Sequence, residues 1–61
     1  MFEEGYEYQH NNGNRIRVVE VASTSFGDLI KYTEPDKPNL KEFIREFFVT
    51  VSEMNEWVEV E

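Results

Sequence analysis

Tyr6-Glu7-Tyr8-Gln9-His10-Asn11-Asn12-Gly13-Asn14-Arg15-Ile16-Arg17-Val18 is the stretch on which the fold of this chain turns. Asn11-Asn12-Gly13 parts two segments of strand character, Tyr6 to His10 and Asn14 to Ala22, and reads as a β-hairpin loop. A tight Asn12-Gly13 turn sets Tyr8 opposite Arg17 and Tyr6 opposite Val19, mixing aromatic and charged partners on one face. A three-residue loop with Gly13 in the left-handed conformation instead pairs Tyr8 with Ile16 and Tyr6 with Val18. Its other face then puts Gln9 opposite Arg15 and Glu7 opposite Arg17, an opposite-charge pair. This second register is the predicted one, because it is consistent on both faces and a slip of one residue destroys both patterns.

Beyond the hairpin the apolar phase shifts. Ile16 and Val18 share one parity while Val19 and Val21 share the other, which a bulge, a sharp coil or cover on both sides would explain, and a small bent barrel suits it. Ser23-Thr24-Ser25 with Gly27-Asp28 supplies the next turn, and Leu29 to Tyr32 is a third strand. Thr33 to Asn39 holds Pro35 and Pro38 and reads as a rigid polar connection. Asn39 then looks like a helix N-cap with Glu42 three residues on. Leu40, Phe43, Ile44 and Phe47 form an apolar stripe, with Lys41, Glu42, Arg45 and Glu46 opposite, so a short helix is predicted. Phe48 to Val51 is a fourth strand, Glu53 to Glu56 a turn, and Trp57 to Val60 a fifth strand with Val58 and Val60 inward and Glu59 outward. The expected fold is α+β, mostly β, in the order β-β-β-α-β-β, as a small bent barrel or twisted sheet spanning residues 1–61 as one domain.

The opening Tyr8-x-His10-x-x-Gly13-Asn14-x-Ile16-x-Val18-x-x-Val21-Ala22, followed by Leu29-Ile30-x-Tyr32, resembles a family of short bacterial and phage domains. Their openings read Gly-x-Tyr-x-His-x-x-Gly-Asn-x-Tyr-x-Val. The likeness covers roughly the first half of the chain and implies an SH3-like small β-barrel. It implies no activity, and fold alone confers none.

The chain has 61 residues, no cysteine, and 39% apolar residues, nine of them aromatic. A domain this short buries only about 60% of its unfolded surface, so the large rings carry much of the core. A disulfide scaffold, a zinc module and a multidomain enzyme drop out. Thirteen acids against six bases give a net charge of −7, which repels phosphate backbones, so direct nucleic-acid binding is not expected. No apolar run approaches the ~20 residues of a membrane span, and Glu3 and Glu4 stand where a secretory signal needs positive charge, so neither membrane insertion nor export is expected and the location is read as cytoplasmic. The charge is uneven. Residues 1–14 hold three acids and no base, residues 46–61 hold five acids and no base, and the middle is nearly neutral. If the two ends meet in the fold, they form one acidic surface.

Catalytic chemistry is poorly indicated. His10 is the only imidazole, and although Ser23, Ser25 and Asp28 could in principle complete a nucleophile set with it, nothing in their spacing requires one. One His and no Cys exclude the usual zinc sets, no calcium loop is present, and Gly5, Gly13 and Gly27 are too far apart to cradle a phosphate, so neither cofactor nor metal is indicated. Among the rings, Phe2 and Trp57, flanked by glutamates, are the candidates for surface exposure, although Trp57 packed over the barrel end is the commoner role for such a ring.

These readings converge on a non-enzymatic module that docks a basic partner protein. Glu3, Glu4, Glu7, Glu53, Glu56, Glu59 and Glu61 form its acidic face and Trp57 its apolar anchor. One alternative is a nucleic-acid mimic of the kind phages and other mobile elements use to block a host DNA-binding enzyme. Another is a small nucleic-acid-binding barrel using Arg15, Arg17 and Lys31 with Tyr8. A homodimer, burying the second face of the two-faced strand against a copy of itself, is left open.

Overall fold

The computed structural model describes residues 2–60. Five antiparallel strands, β1 (Glu7–His10), β2 (Arg15–Ser23), β3 (Gly27–Thr33), β4 (Arg45–Thr50) and β5 (Trp57–Val60), form one sheet in the order β4-β3-β2-β1-β5. A 3-10 helix, Val51–Glu56, joins β4 to β5. Among the described residues no helix is long and apolar enough to cross a membrane.

The hairpin forms in the predicted register, with Tyr8 opposite Ile16, Gln9 opposite Arg15 and Glu7 opposite Arg17. Gly13 takes φ +98°, a left-handed conformation that costs glycine nothing, and its N–H bonds the carbonyl of His10 at 2.9 Å. The phase shift in β2 is a bulge. Val18 stands opposite Tyr32 and Glu20 opposite Lys31, which leaves Val19 as the extra residue. Val18 and Val21 therefore both face inward, and the strand gains the bend that wraps the sheet around its core.

That core lies on the concave face. Phe2, Tyr8, Ile16, Val18, Ile30 and Val49 are buried, and Val21, Tyr32, Phe47, Met54 and Trp57 pack against them. Each buried side chain contributes about 1.5–3 kcal/mol through loss of apolar surface to water. The sheet does not close into a barrel, since β4 and β5 are its two edges and no ladder joins them among the described residues. They approach only through side chains, with the rings of Phe47 and Trp57 centred 5.6 Å apart.

Three expectations are corrected. No helix follows Asn39: residues 34–43 run through successive turns closed by Lys37 N–H to Glu34 carbonyl, Leu40 to Lys37 and Phe43 to Leu40. Pro35 and Pro38 fall at the second position of the first two turns, where their fixed φ is favourable. Arg45 onward pairs with β3 instead, because two turns of helix offer little in isolation while a strand aligns Phe47 with Ile30 and Val49 with Asp28 on the inner face. The order is therefore β-β-β-β-β, with the 3-10 helix before the last strand and no α-helix among the described residues.

The second correction concerns β5. Val58 and Val60 lie on the outer face, opposite Gln9 and Glu7, and Val58 is 66% exposed. Trp57 takes the inward position because it removes more apolar area from water, and strand alternation then places its neighbours. Third, Phe2 is not a surface ring. A tight turn through Gly5 folds it back under Tyr8, where it is only 5% exposed.

Gly27 is held closest of the glycines. A β-carbon there would lie 2.1 Å from the carbonyl oxygen of Val49, a backbone atom of the paired strand. Gly13 has open space and only its dihedral angle to lose. Gly27→Ala is therefore expected to cost about 2 kcal/mol or more by overpacking against β4, and Gly13→Ala about 1 kcal/mol. Thermal unfolding checks the order, the former lowering Tm by about 10 °C or more in a domain of this size.

Candidate functional site

The two ends of the chain meet along β1 and β5. Glu7 stands opposite Val60, Tyr8 opposite Glu59, Gln9 opposite Val58 and His10 opposite Trp57. The pairing is extended by the N–H of Asn11 on the carbonyl of Glu56 at 3.0 Å. On this side of the molecule the head segment, β1, the 3-10 helix and β5 carry Glu3, Glu4, Glu7, Glu53, Glu56 and Glu59 and no lysine or arginine. All six cations lie on β2, β3, β4 or the connection before β4.

The acids of this group are not equivalent. Glu7 faces outward toward β2, where Arg17 bonds it at 2.5 Å and Arg15 stands at 3.9 Å, so its charge is locally neutralised. Glu56 accepts from Nε2 of His10 at 2.8 Å, and Nδ1 of the same ring accepts the N–H of Asn12 at 3.1 Å, which assigns the proton to Nε2. Glu53 caps the 3-10 helix, its Oε1 accepting from the N–H of Thr50 at 3.1 Å and from the Thr50 hydroxyl at 2.8 Å. Those two bonds, the backbone one first, hold its carboxyl below the usual range. Glu3, Glu4 and Glu59 have no ion pair among the described residues, and Glu61 lies outside them.

Glu3 and Glu59 converge on Tyr8. The phenol oxygen accepts the N–H of Glu3 at 2.8 Å. Burial pushes the phenol up from its ordinary value, the backbone bond opposes this, and the charges of Glu59 and Glu3 add to the rise. A shallow concavity of about 720 Å³ opens beside this edge, lined by His10, Asn11, Asn55, Glu56, Val58 and Glu59 among others. Exposed Val58, which the sequence assigned to the core, is part of its apolar lining.

Trp57 is half-buried and faces the other way. Its ring lies edge-on to Phe2 at 6.0 Å and His10 at 4.8 Å, and tilted against Phe47 at 5.6 Å. With Tyr32, Phe47, Ile16, Asn14 and Glu34 it lines a second, smaller cavity of about 190 Å³ between the unjoined edges of the sheet. Glu34, whose side chain is 9% exposed, was not singled out by the sequence, where it sits unmarked before Pro35. Lys37 and Arg45 each stand 3.6 Å from its Oε2, which accepts no hydrogen bond.

Two other candidate groupings are not assembled. His10 sits at the hairpin end of β2 and Ser23 at its far end, eight residues of strand or roughly 25 Å away, and Asp28 pairs with Ser23 there. Tyr8 is buried on the inner face while Arg15 and Arg17 project from the outer one, and Lys31 stands 3.9 Å from Glu20, so no basic and aromatic surface forms from these four.

Comparison with known protein families, with curated proteins and with solved structures finds no match to this chain.

Both shifted groups give signed pH dependences. The carboxyl of Glu53 is lowered on folding from an ordinary 4.5, so its contribution is complete above that value and is lost as pH falls through the folded pKa. Glu53→Gln is expected to flatten this part of the acid limb of a stability profile. The phenol of Tyr8 is raised on folding from an ordinary 10.0, so stability falls as pH rises above it, and Tyr8→Phe is expected to remove that alkaline loss. Denaturant midpoints measured across pH check both signs.

Proposed function

We propose that this chain is a non-enzymatic protein-binding module that docks a basic partner along the β1–β5 edge. The observation that carries the reading is the antiparallel pairing of the two ends, which brings together the segments that carry Glu3, Glu4, Glu53, Glu56 and Glu59, none of which holds a lysine or arginine. A one-signed field of this kind steers a partner of opposite charge and suppresses partners of like charge. Val58 is the apolar anchor in this arrangement, exposed in the lining of the concavity together with Glu56 and Glu59. Trp57, turned to the inner face, serves the edge by holding β5 against the core.

An SH3-like small domain is the finer form of the same reading. It is supported by the hairpin with its Tyr8-x-His10-x-x-Gly13-Asn14 opening, the bulged second strand, and a last strand that returns across a short 3-10 helix to pair with the first.

The test uses charge reversal where the fold does not need the charge. Glu53 caps the 3-10 helix and Glu56 bonds His10, so reversing either perturbs structure as well as field. Glu3, Glu4 and Glu59 have no such duties. In affinity capture from the native host, a partner held at about 0.1 M salt and released near 1 M, where the Debye length falls from about 10 to 3 Å, is expected. The Glu3→Lys, Glu4→Lys, Glu59→Lys variant is expected to lose that partner with an on-rate at least about tenfold lower. Retention of the same partner at the same salt by the folded variant would overturn the proposal.

A further inference from the structure

We propose that the open edge of β5 takes an extended segment of the basic partner as a sixth strand, in which basic residues alternate with apolar ones. The assignment rests on the docking reading above and adds to it the partner's conformation and side-chain pattern.

The backbone parity of β5 follows from its neighbour. Around β1, the N–H of His10 bonds the carbonyl of Asn14 and the carbonyl of Tyr6 accepts from Val18, so the even-numbered residues turn toward β2. The odd-numbered ones turn toward β5, as the bond from the N–H of Asn11 to the Glu56 carbonyl shows. Antiparallel pairs alternate between bonded and non-bonded positions. With Gln9 opposite Val58 and Glu7 opposite Val60, the valines are the bonded positions, and Trp57 and Glu59 turn their backbone groups away from the sheet. The N–H of Trp57 is taken by the carbonyl of Met54 in the 3-10 helix. The Trp57 carbonyl and both backbone groups of Glu59 have no hydrogen bond among the described residues.

Open edges of this kind are templates for an added strand, and proteins guard them with prolines, bulges or inward-pointing charges. β5 has no proline and no bulge, and its one charged side chain is Glu59, on the inner-face parity opposite Tyr8. That carboxylate excludes a second copy, since an antiparallel β5 pair centred on residue 59 sets like charges side by side. A lysine or arginine on an added strand matches it. Glu3, bonded through its N–H to the Tyr8 hydroxyl that also feels the charge of Glu59, adds to the attraction. Val58 and Val60 turn to the outer face and line the concavity of about 720 Å³, so an apolar residue on each side of the basic one has surface to cover. The edge is clear of β4 at this end: Trp57 and Phe47 wall the spaces toward β4, and neither Glu59 nor Val60 lines them. β4, the other edge, carries Arg45 and Glu46 and so favours neither sign.

The probe is acetyl-Lys-Val-Lys-Val-Lys-amide, titrated into the protein by calorimetry at low salt. It is expected to bind at least about tenfold tighter than acetyl-Lys-Lys-Lys-Val-Val-amide, which has the same composition and charge without the alternation. Methylating the backbone nitrogens of one alternate set, the lysines for an antiparallel strand or the valines for a parallel one, is expected to abolish binding. Methylating the other set is expected to leave affinity within about threefold. Glu59→Gln, with folding checked by circular dichroism, is expected to cut the preference for alternation to about threefold or less. Equal affinity for the two peptides, a preference unchanged in Glu59→Gln, or loss of binding with both methylated sets or with neither overturns the added strand and leaves basic docking standing. Binding of neither peptide overturns the inference whatever partner the host capture returns. A dimer of the free protein that sedimentation detects and the peptide disperses gives the edge to a second copy and likewise overturns it.

Discussion

Four cross-strand pairs between β1 and β5 hold the ends of this chain together, and most of what is distinctive about the molecule depends on that ladder. Without it β1 would be a sheet edge, and Tyr8, Phe2 and Trp57 would lose the shared inner face on which they meet. The ladder also sets the electrostatics. Acids that are more than forty residues apart in sequence become neighbours, and the strands that carry the cations lie on the far side of β1. One contact therefore serves both the core and the surface field.

The bend of the sheet is the second determinant. The extra residue at Val19 lets a nine-residue strand keep Ile16, Val18 and Val21 on one side while turning around them. The turn-rich segment 34–43 then lets β4 come back along β3, and Glu34, anchored between Lys37 and Arg45, fixes the point at which it does so. Bending brings the edges β4 and β5 within ring contact but leaves them unbonded, and the smaller, ring-walled cavity is the space so created.

Much of this was legible because the hairpin sequence is over-determined. Tyr8, Ile16 and Val18 demand one face, Glu7, Arg15 and Arg17 the other, and a single loop length satisfies both. The helix reading failed for the converse reason. Phe43, Ile44 and Phe47 fit a period of 3.6 while Phe47 and Val49 fit a period of two, and local pattern does not say which partner will be present. The partner was β3, whose Ile30 and Leu29 stand opposite Phe47 and Phe48. Trp-Val-Glu-Val at residues 57–60 misleads in a related way, since the two valines make one parity wholly apolar while the other mixes Trp57 with Glu59, and the size of the indole outweighs the pattern. The meeting of the ends was foreseeable from charge placement as a condition, but Glu34 left no trace: a glutamate before a proline reads as loop, and its burial depends on chain that returns ten residues later.

The head-to-tail ladder has a kinetic side. Glu7 and Val60 are separated by almost the whole chain, so closing them incurs a loop entropy that the β1–β2 hairpin, with its three-residue loop, does not. High contact order of this kind slows folding toward the millisecond-to-second range of all-β domains. During synthesis the hairpin can form while the rest is still being made, but the last strand has to leave the ribosome before the ends can join. The clustered negative charge thus arises only once β5 has paired with β1, and a nascent form in which the hairpin alone has folded lacks it.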